Sequence, residues 1–288
     1  MPWTVSGFAD EASEKSDEQA QATVDAGFRN IDLRNVDGHN ISELPLDKAE
    51  AIRKSLDDAG LACTMFGSPI GKIDITEDFD IDVKKLRHLA KLREVFDCDK
   101  VRVFSYFNKT EKPMAEWEKE AMRRLRELRD LAGELDLLLY NENEREIFGD
   151  RVEQVCTIAT LRDGIGPFRM LFDFDNFNQS DEDVWDAWEQ LRDATDGFHL
   201  KDSKRDKTHV PMGTGDTYAE KILKDAVGRQ WVGHVAMEPP LMHSAAVMAT
   251  GPGGKANEAF ADMSGHDMYV AAAGYVKDLL KRVGAAWE

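Results

Sequence analysis

Four successive apolar runs in the second half of the chain each end on a carboxylate or an imidazole, and this repetition is the feature that most constrains the fold. Leu137-Leu138-Leu139-Tyr140 leads into Asn141-Glu142-Asn143-Glu144. Met170-Leu171-Phe172 leads into Asp173 and then Asn176. Gly197-Phe198 leads into His199, followed by Lys201-Asp202, and the run 232–237 ends in Glu238-Pro239-Pro240. Helical sequence separates each run from the next, which is the pattern of parallel strands joined by crossovers. In a closed barrel of such strands the carboxyl ends converge on one mouth. Two Glu, one Asp and one His at that mouth make a hard, oxygen-rich donor set with one nitrogen, suited to a divalent metal.

The first half of the chain keeps the same rhythm. Strands are expected over 3–8, 29–33, 61–66 and 100–104, then over 137–142, 168–173, 197–201 and 232–237. Helices are expected over 16–26, 46–59, 80–96, 114–135, from about 150, and over 184–192, 218–227 and 268–283, with Gly27 and Gly60 as stop signals. Eight strand–helix units are the number needed for closure, so the expected fold is a single-domain (β/α)8 barrel spanning 1–288. One stretch breaks the pattern. Residues 239–266 lack periodicity and contain Gly251-Pro252-Gly253-Gly254 and two His. A connection that long reads as a lid or a homo-oligomer contact. Its glycines lack a preceding strand and an immediately following helix, so a loop tip is favoured over a phosphate loop.

Composition narrows the function classes. Of the 288 residues, 42% are hydrophobic, enough for a sizeable core. The formal net charge of −18, with no basic stripe, argues against nucleic acid as a partner. Runs such as Asp181-Glu182-Asp183 fall on expected helix faces, where acidity serves solubility. Three widely spaced cysteines, Cys63, Cys98 and Cys156, read as buried free thiols in a reducing compartment. No apolar run approaches a membrane span, so a cytoplasmic protein with no membrane partner is expected.

Taken singly, each mouth residue has an ordinary explanation: a helix cap for Asp173, a hydrogen-bonded core residue for His199, a solvated side chain for Glu238. Taken together, they occupy equivalent ends of four successive strands. Three of them are anions that repel one another, and a divalent cation removes that conflict.

These residues also carry a family resemblance. From Phe8-Ala9-Asp10-Glu11 to the last helix the chain resembles the xylose-isomerase-like sugar phosphate isomerase/epimerase superfamily, a TIM-barrel group with ketose 3-epimerases, inosose dehydratases and endonuclease IV relatives. The most specific segments are Gly67-Ser68-Pro69-Ile70-Gly71-Lys72, Glu142-Asn143-Glu144 with Phe148-Gly149-Asp150, and Phe172-Asp173-Phe174-Asp175-Asn176-Phe177. Phe198-His199-Leu200-Lys201-Asp202 and Met237-Glu238-Pro239 complete the set. The resemblance implies that Glu142, Asp173, His199 and Glu238 bind the metal and that Glu142 and Glu238 double as an acid/base pair. It also places Arg205, six residues after His199, where ketose epimerases hold a substrate-contacting arginine. At Asn176 those epimerases carry a His; the amide can contact a sugar hydroxyl but cannot shuttle a proton.

The chemistry follows from the donors. A divalent ion beside a ketone and a neighbouring hydroxyl acidifies the carbon-bound proton between them by stabilising an enediolate. Two carboxylates on opposite faces of that carbon can then remove and return the proton. Lys72, Lys201 and Arg205, with Asn176, are the expected contacts to substrate oxygens. The expected activity is therefore a divalent-metal-dependent isomerase or epimerase of a keto sugar or polyol. The alternative is an inosose- or dehydroshikimate-type dehydratase working through the same enolate. Mn2+ and Mg2+ suit the oxygen donors best, and Co2+ or Zn2+ also accept one imidazole. The DNA-repair branch would need a His-rich three-metal cluster and a basic face, which seven His and a charge of −18 do not provide.

Overall fold

A computed structural model describes residues 1–162, 166–242, 247–248, 251 and 253–288. Eight parallel strands form one sheet: β1 (Thr4–Gly7), β2 (Asn30–Leu33), β3 (Ala62–Phe66), β4 (Lys100–Val103), β5 (Leu138–Glu142), β6 (Phe168–Asp173), β7 (Thr195–Leu200) and β8 (His234–Met237). The sheet order is β1-β8-β7-β6-β5-β4-β3-β2, each strand hydrogen-bonded to its neighbour in the list. The two ends of that order meet through a parallel bridge between Phe8 and Asp32, which completes the ring. Buried strands in such a barrel read as almost unbroken apolar runs, which is why the sequence locates all eight.

The outer layer is α1 (Ser16–Asp25), α2 (Leu46–Asp58), α3 (Asp80–Phe96), α4 (Met114–Glu134), α5 (Val152–Ala159), α6 (Phe174–Gln179), α7 (Val184–Leu191), α8 (Ala219–Gly228) and α9 (Gly265–Val283). α1 and α2 end just before Gly27 and Gly60, as expected. Asp183 caps α7 by accepting from the amides of Trp185 and Asp186, and Ser264 caps α9 by accepting from Asp267. Phe172, Phe174, Phe177, Trp188 and Phe198 pack as a run of tilted and edge-on rings between β6, β7 and the helices that follow them.

The structure departs from the sequence-based expectations at several points. β7 begins at Thr195 rather than 197, because the β6–β7 register shifts there and leaves Asp196 facing outward to pair with Arg162. β8 begins at His234 rather than 232. α6 and the two-residue-strand hairpin Asp202–Ser203/His209–Val210 were not foreseen, being too short to show a period. Cys63 and Cys98 are buried free thiols, whereas Cys156 is only partly buried. Among the described residues, no helix is long and apolar enough to cross a membrane.

His243 and Pro252, in the irregular 239–266 stretch, lie outside the described residues. Residues 255–257 of that stretch dock on the hairpin. The Lys255 amide donates to Lys207 O (2.8 Å), the His209 amide to Lys255 O (2.9 Å), and Asn257 Nδ2 to His209 O (3.0 Å). His266 lies elsewhere, 3.2 Å from Asp25 of α1.

Candidate metal centre at the barrel mouth

Glu142 is the last residue of β5, Asp173 the last of β6, His199 the last but one of β7, and Glu238 follows β8 directly. Each offers one ligand atom, and these atoms all lie within 4.8 Å of one another at buried positions. Local sequence sets each of them. Asn143 clamps the ends of β5 and β6, accepting from the Asp173 amide (2.8 Å) and donating to its carbonyl (3.0 Å). Asp173 Oδ1 caps α6 by accepting from the Asn176 amide at 2.7 Å, which leaves Oδ2 for the centre. The His199 ring meets the Phe8 ring edge-on at 5.3 Å. Its Nδ1 lies 2.9 Å from Glu142 Oε1 and 3.5 Å from Glu238 Oε2.

The charged groups of the cluster act strongly on one another. Burial works against a charged imidazole, but Glu142 and Glu238 outweigh it and lift His199 to about 9. Burial would raise both glutamates; His199 and Arg102 hold Glu142 below the usual range, and Lys201 and Arg34 lead in holding Glu238 well below it. Asp173 goes the other way. Burial, joined by the charges of Glu142, Glu238 and Asp175, overcomes Lys201 and raises it far above an ordinary aspartate. Glu142 Oε2, Asp173 Oδ2 and Glu238 Oε2 are buried without a hydrogen-bond partner among the described residues. Three unpartnered carboxylate oxygens and an imidazole on one point fit a divalent cation. Its charge would answer the mutual repulsion of the three carboxylates.

Of the expected substrate contacts, Asn176 Nδ2 lies 3.3 Å from Glu142 Oε1 and donates to Asn143 O at 2.9 Å. Lys201 is buried 3.6 Å from Asp173 Oδ2 and 4.0 Å from Asp175 Oδ2, and these carboxylates with Glu238 raise it against the pull of burial. Lys72 sits on the rim, 2.8 Å from Glu144 Oε2 and 4.4 Å above the Phe104 ring. The 68–72 turn holds it there. Gly71 has a φ of 85°, and a Cβ on it would collide with the Phe104 carbonyl. Arg205 is exposed on the hairpin, its amide donating to Asp216 Oδ2 at 2.9 Å, and is not brought to the four-residue cluster.

Two arginines that the sequence reading left unassigned belong to this mouth. Arg34, after β2, donates through Nε to Asp10 (2.8 Å), through Nη2 to Asp10 (3.0 Å) and Glu11 (2.6 Å), and through Nη1 to Glu238 (2.7 Å). Arg102, on β4, lies with Nη1 3.3 Å from Glu142 Oε2 and 3.9 Å from Glu238 Oε2. The Phe8 ring supports both guanidinium groups, at 4.8 and 5.0 Å from its centroid. The signal for Arg102 was available, since a charged residue inside a doubly buried strand needs a reason.

A family model described as the xylose isomerase-like TIM barrel matches residues 20–261. None of the curated proteins matches the chain. Among solved structures, it is similar to D-psicose 3-epimerase in the presence of D-fructose, with a TM-score of 0.74, 18% identity, and 98% of this chain and 100% of that one covered. It is similar to the probable 3-DHS dehydratase AsbF, involved in petrobactin synthesis, from Bacillus anthracis (TM-score 0.70, 18% identity, 96% and 99% covered). It is also similar to the IOLI protein with a bound zinc atom (TM-score 0.73, 11% identity, 97% and 99% covered). At these identities the likeness is one of fold.

Proposed function

The chain belongs to the xylose isomerase-like TIM barrel family, and from that premise we propose that it is a divalent-metal-dependent isomerase or epimerase of a keto sugar or polyol. The convergence of Glu142, Asp173, His199 and Glu238 within 4.8 Å carries this reading. Those four residues would hold the cation, with Mn2+ or Mg2+ best matched to their oxygens and Co2+ or Zn2+ compatible with the imidazole. When bound, the cation supplies positive charge beside the oxygens that become negative as the carbon proton leaves.

The protein side chains do the rest. Glu142 and Glu238 flank His199, so a carbon held between them presents one face to each carboxylate. One Glu takes the proton from its face, and the other returns a proton to the opposite face, inverting the carbon; return to the neighbouring carbon isomerises the sugar. Arg34 binds the far oxygen of Glu238 and fixes its orientation. Asn176 and Lys201 border the same space and are proposed to take substrate hydroxyls, with Lys72 at the rim. Arg205, exposed on the hairpin, would reach substrate only through movement of that hairpin. Depth and burial of the cluster exclude bulk water during the transfer, so the second Glu, rather than solvent, delivers the proton to the opposite face.

The test is a screen of keto sugars and inososes with added Mn2+, followed by proton NMR in D2O. Loss of a carbon-bound proton signal together with appearance of an epimer or isomer supports the reading. Appearance of a dehydrated product assigns the dehydratase chemistry to the same residues. No exchange at any carbon of any substrate, by a protein that binds no Mn2+, overturns it.

A further inference from the structure

Arg34 and Arg102 share the Phe8 ring, yet they are held in opposite ways. All three nitrogens of Arg34 are engaged by carboxylates at 2.6–3.0 Å. Arg102, at 5% exposure, donates one long hydrogen bond among the described residues, from Nη2 to Gly67 O at 3.3 Å, and its Nε is buried with no partner. Its Nη1 approaches Glu142 and Glu238 to 3.3 and 3.9 Å, longer than a charge-assisted hydrogen bond of about 2.7–2.9 Å. Phe8 and Phe104, 5.0 and 4.9 Å from the guanidinium carbon, pin the group in place. A guanidinium has five N–H donors, and burying most of them unused is costly. Such a group is kept where its donors meet something other than the protein.

We propose that Arg102 is a further catalytic residue, whose Nη1 donates to the substrate oxygen that becomes negative during proton transfer. This rests on the reading of Glu142 and Glu238 as the acid/base pair. Nη1 is close to both carboxylates, 3.3 Å from Glu142 Oε2 and 3.9 Å from Glu238 Oε2, so a substrate carbon within proton-transfer reach of either Glu brings its attached oxygen within reach of Nη1. As one Glu takes the proton, the C–H electron pair becomes the new C=C bond and the carbonyl pair moves onto oxygen. Arg102 meets that new charge with a preorganised donor, and the reverse electron flow restores the carbonyl when the proton returns. A pinned, desolvated donor stabilises developing charge more than it stabilises a neutral carbonyl.

The experiment titrates the Mn2+-loaded protein with glycolohydroxamate, a planar anion that mimics an enediolate, and with dihydroxyacetone, its neutral counterpart. Mn2+ affinity is measured separately by calorimetry. Arg102→Gln is expected to weaken glycolohydroxamate about 100-fold while Mn2+ and dihydroxyacetone change less than about threefold. Arg102→Lys, which keeps the buried charge and loses the planar fork, is expected to fall between, and it carries the comparison if the Gln variant fails to melt cooperatively. Equal weakening of Mn2+ and of the anion would reduce Arg102 to an organiser of the carboxylates and overturn the proposal. So would unchanged glycolohydroxamate affinity. Failure of the unmodified protein to bind Mn2+ would instead remove the proposed function itself, and this inference with it.

Discussion

Glu142 and Glu238, brought together from β5 and the end of β8, are bridged by a single atom: His199 Nδ1 lies 2.9 Å from one carboxylate and 3.5 Å from the other. The imidazole thus separates the two carboxylates proposed as opposed bases. Substituting either carboxylate by its amide keeps the size and one donor oxygen but removes the base. Glu142→Gln and Glu238→Gln are each expected to lower turnover by about 10²–10⁴-fold. Followed in D2O from each epimer separately, one variant should lose exchange from one epimer and the other from its partner. Near wild-type rates in both would exclude the two-base scheme.

Asp173→Asn and His199→Ala should lower metal affinity while the barrel still folds, because Asn relieves crowding among the buried carboxylates and Ala at 199 leaves the backbone pairing of β7 intact. Loss of a supporting residue around a metal costs about 10–100-fold, so loss of a ligand should reach at least the upper end of that range. Elemental analysis and calorimetry with Mn2+ are the measurements. Unchanged metal content in both variants would show that the four residues do not form the binding site.

Arg34→Met should lower stability as well as loosen Glu238. It strands Asp10, Glu11 and Glu238 without their common cation in a buried setting. Removing one partner of a buried ion pair destabilises by about 3–5 kcal/mol. Urea unfolding monitored by circular dichroism would report it, and a loss below about 1 kcal/mol would mean that the network relaxes or hydrates.

Asp82 makes stability pH-dependent away from the mouth. It is fully buried on α3 and accepts from the Gly71 amide at 3.0 Å; burial outweighs that bond and pushes its carboxyl from 3.8 up to about 6. A carboxyl raised in the folded state favours the protonated protein. Its contribution is complete below 3.8 and is lost as pH climbs through about 6. A shift of that size corresponds to about 3 kcal/mol. Asp82→Asn should therefore flatten the slope of unfolding free energy against pH in this window, relative to the unmodified protein. Parallel slopes would refute the assignment.

The barrel was legible because doubly buried strands leave apolar runs that survive in one dimension, and the four-residue cluster because four such runs end alike. The arginines were not, for a physical reason. Arg34 answers to Glu238, 204 residues away, and no local pattern records that distance. α6 was hidden by its own composition: Phe174 and Phe177 prolong the apolar signal of β6, and the Asp173 side chain, folded back onto the Asn176 amide, caps the helix that follows. Spacing from His199 located Arg205 in the chain but carried no information on the hairpin that leaves it exposed.

Phe8 links both arginines of the mouth to the imidazole. Its ring carries Arg34 and Arg102 at its centroid and meets His199 edge-on. One hydrocarbon side chain therefore contacts three polar ones, and effects at these four sites are not expected to add. Across related sequences they should drift as one unit of inheritance: a change of ring at position 8 would be tolerated only where its three dependants change with it.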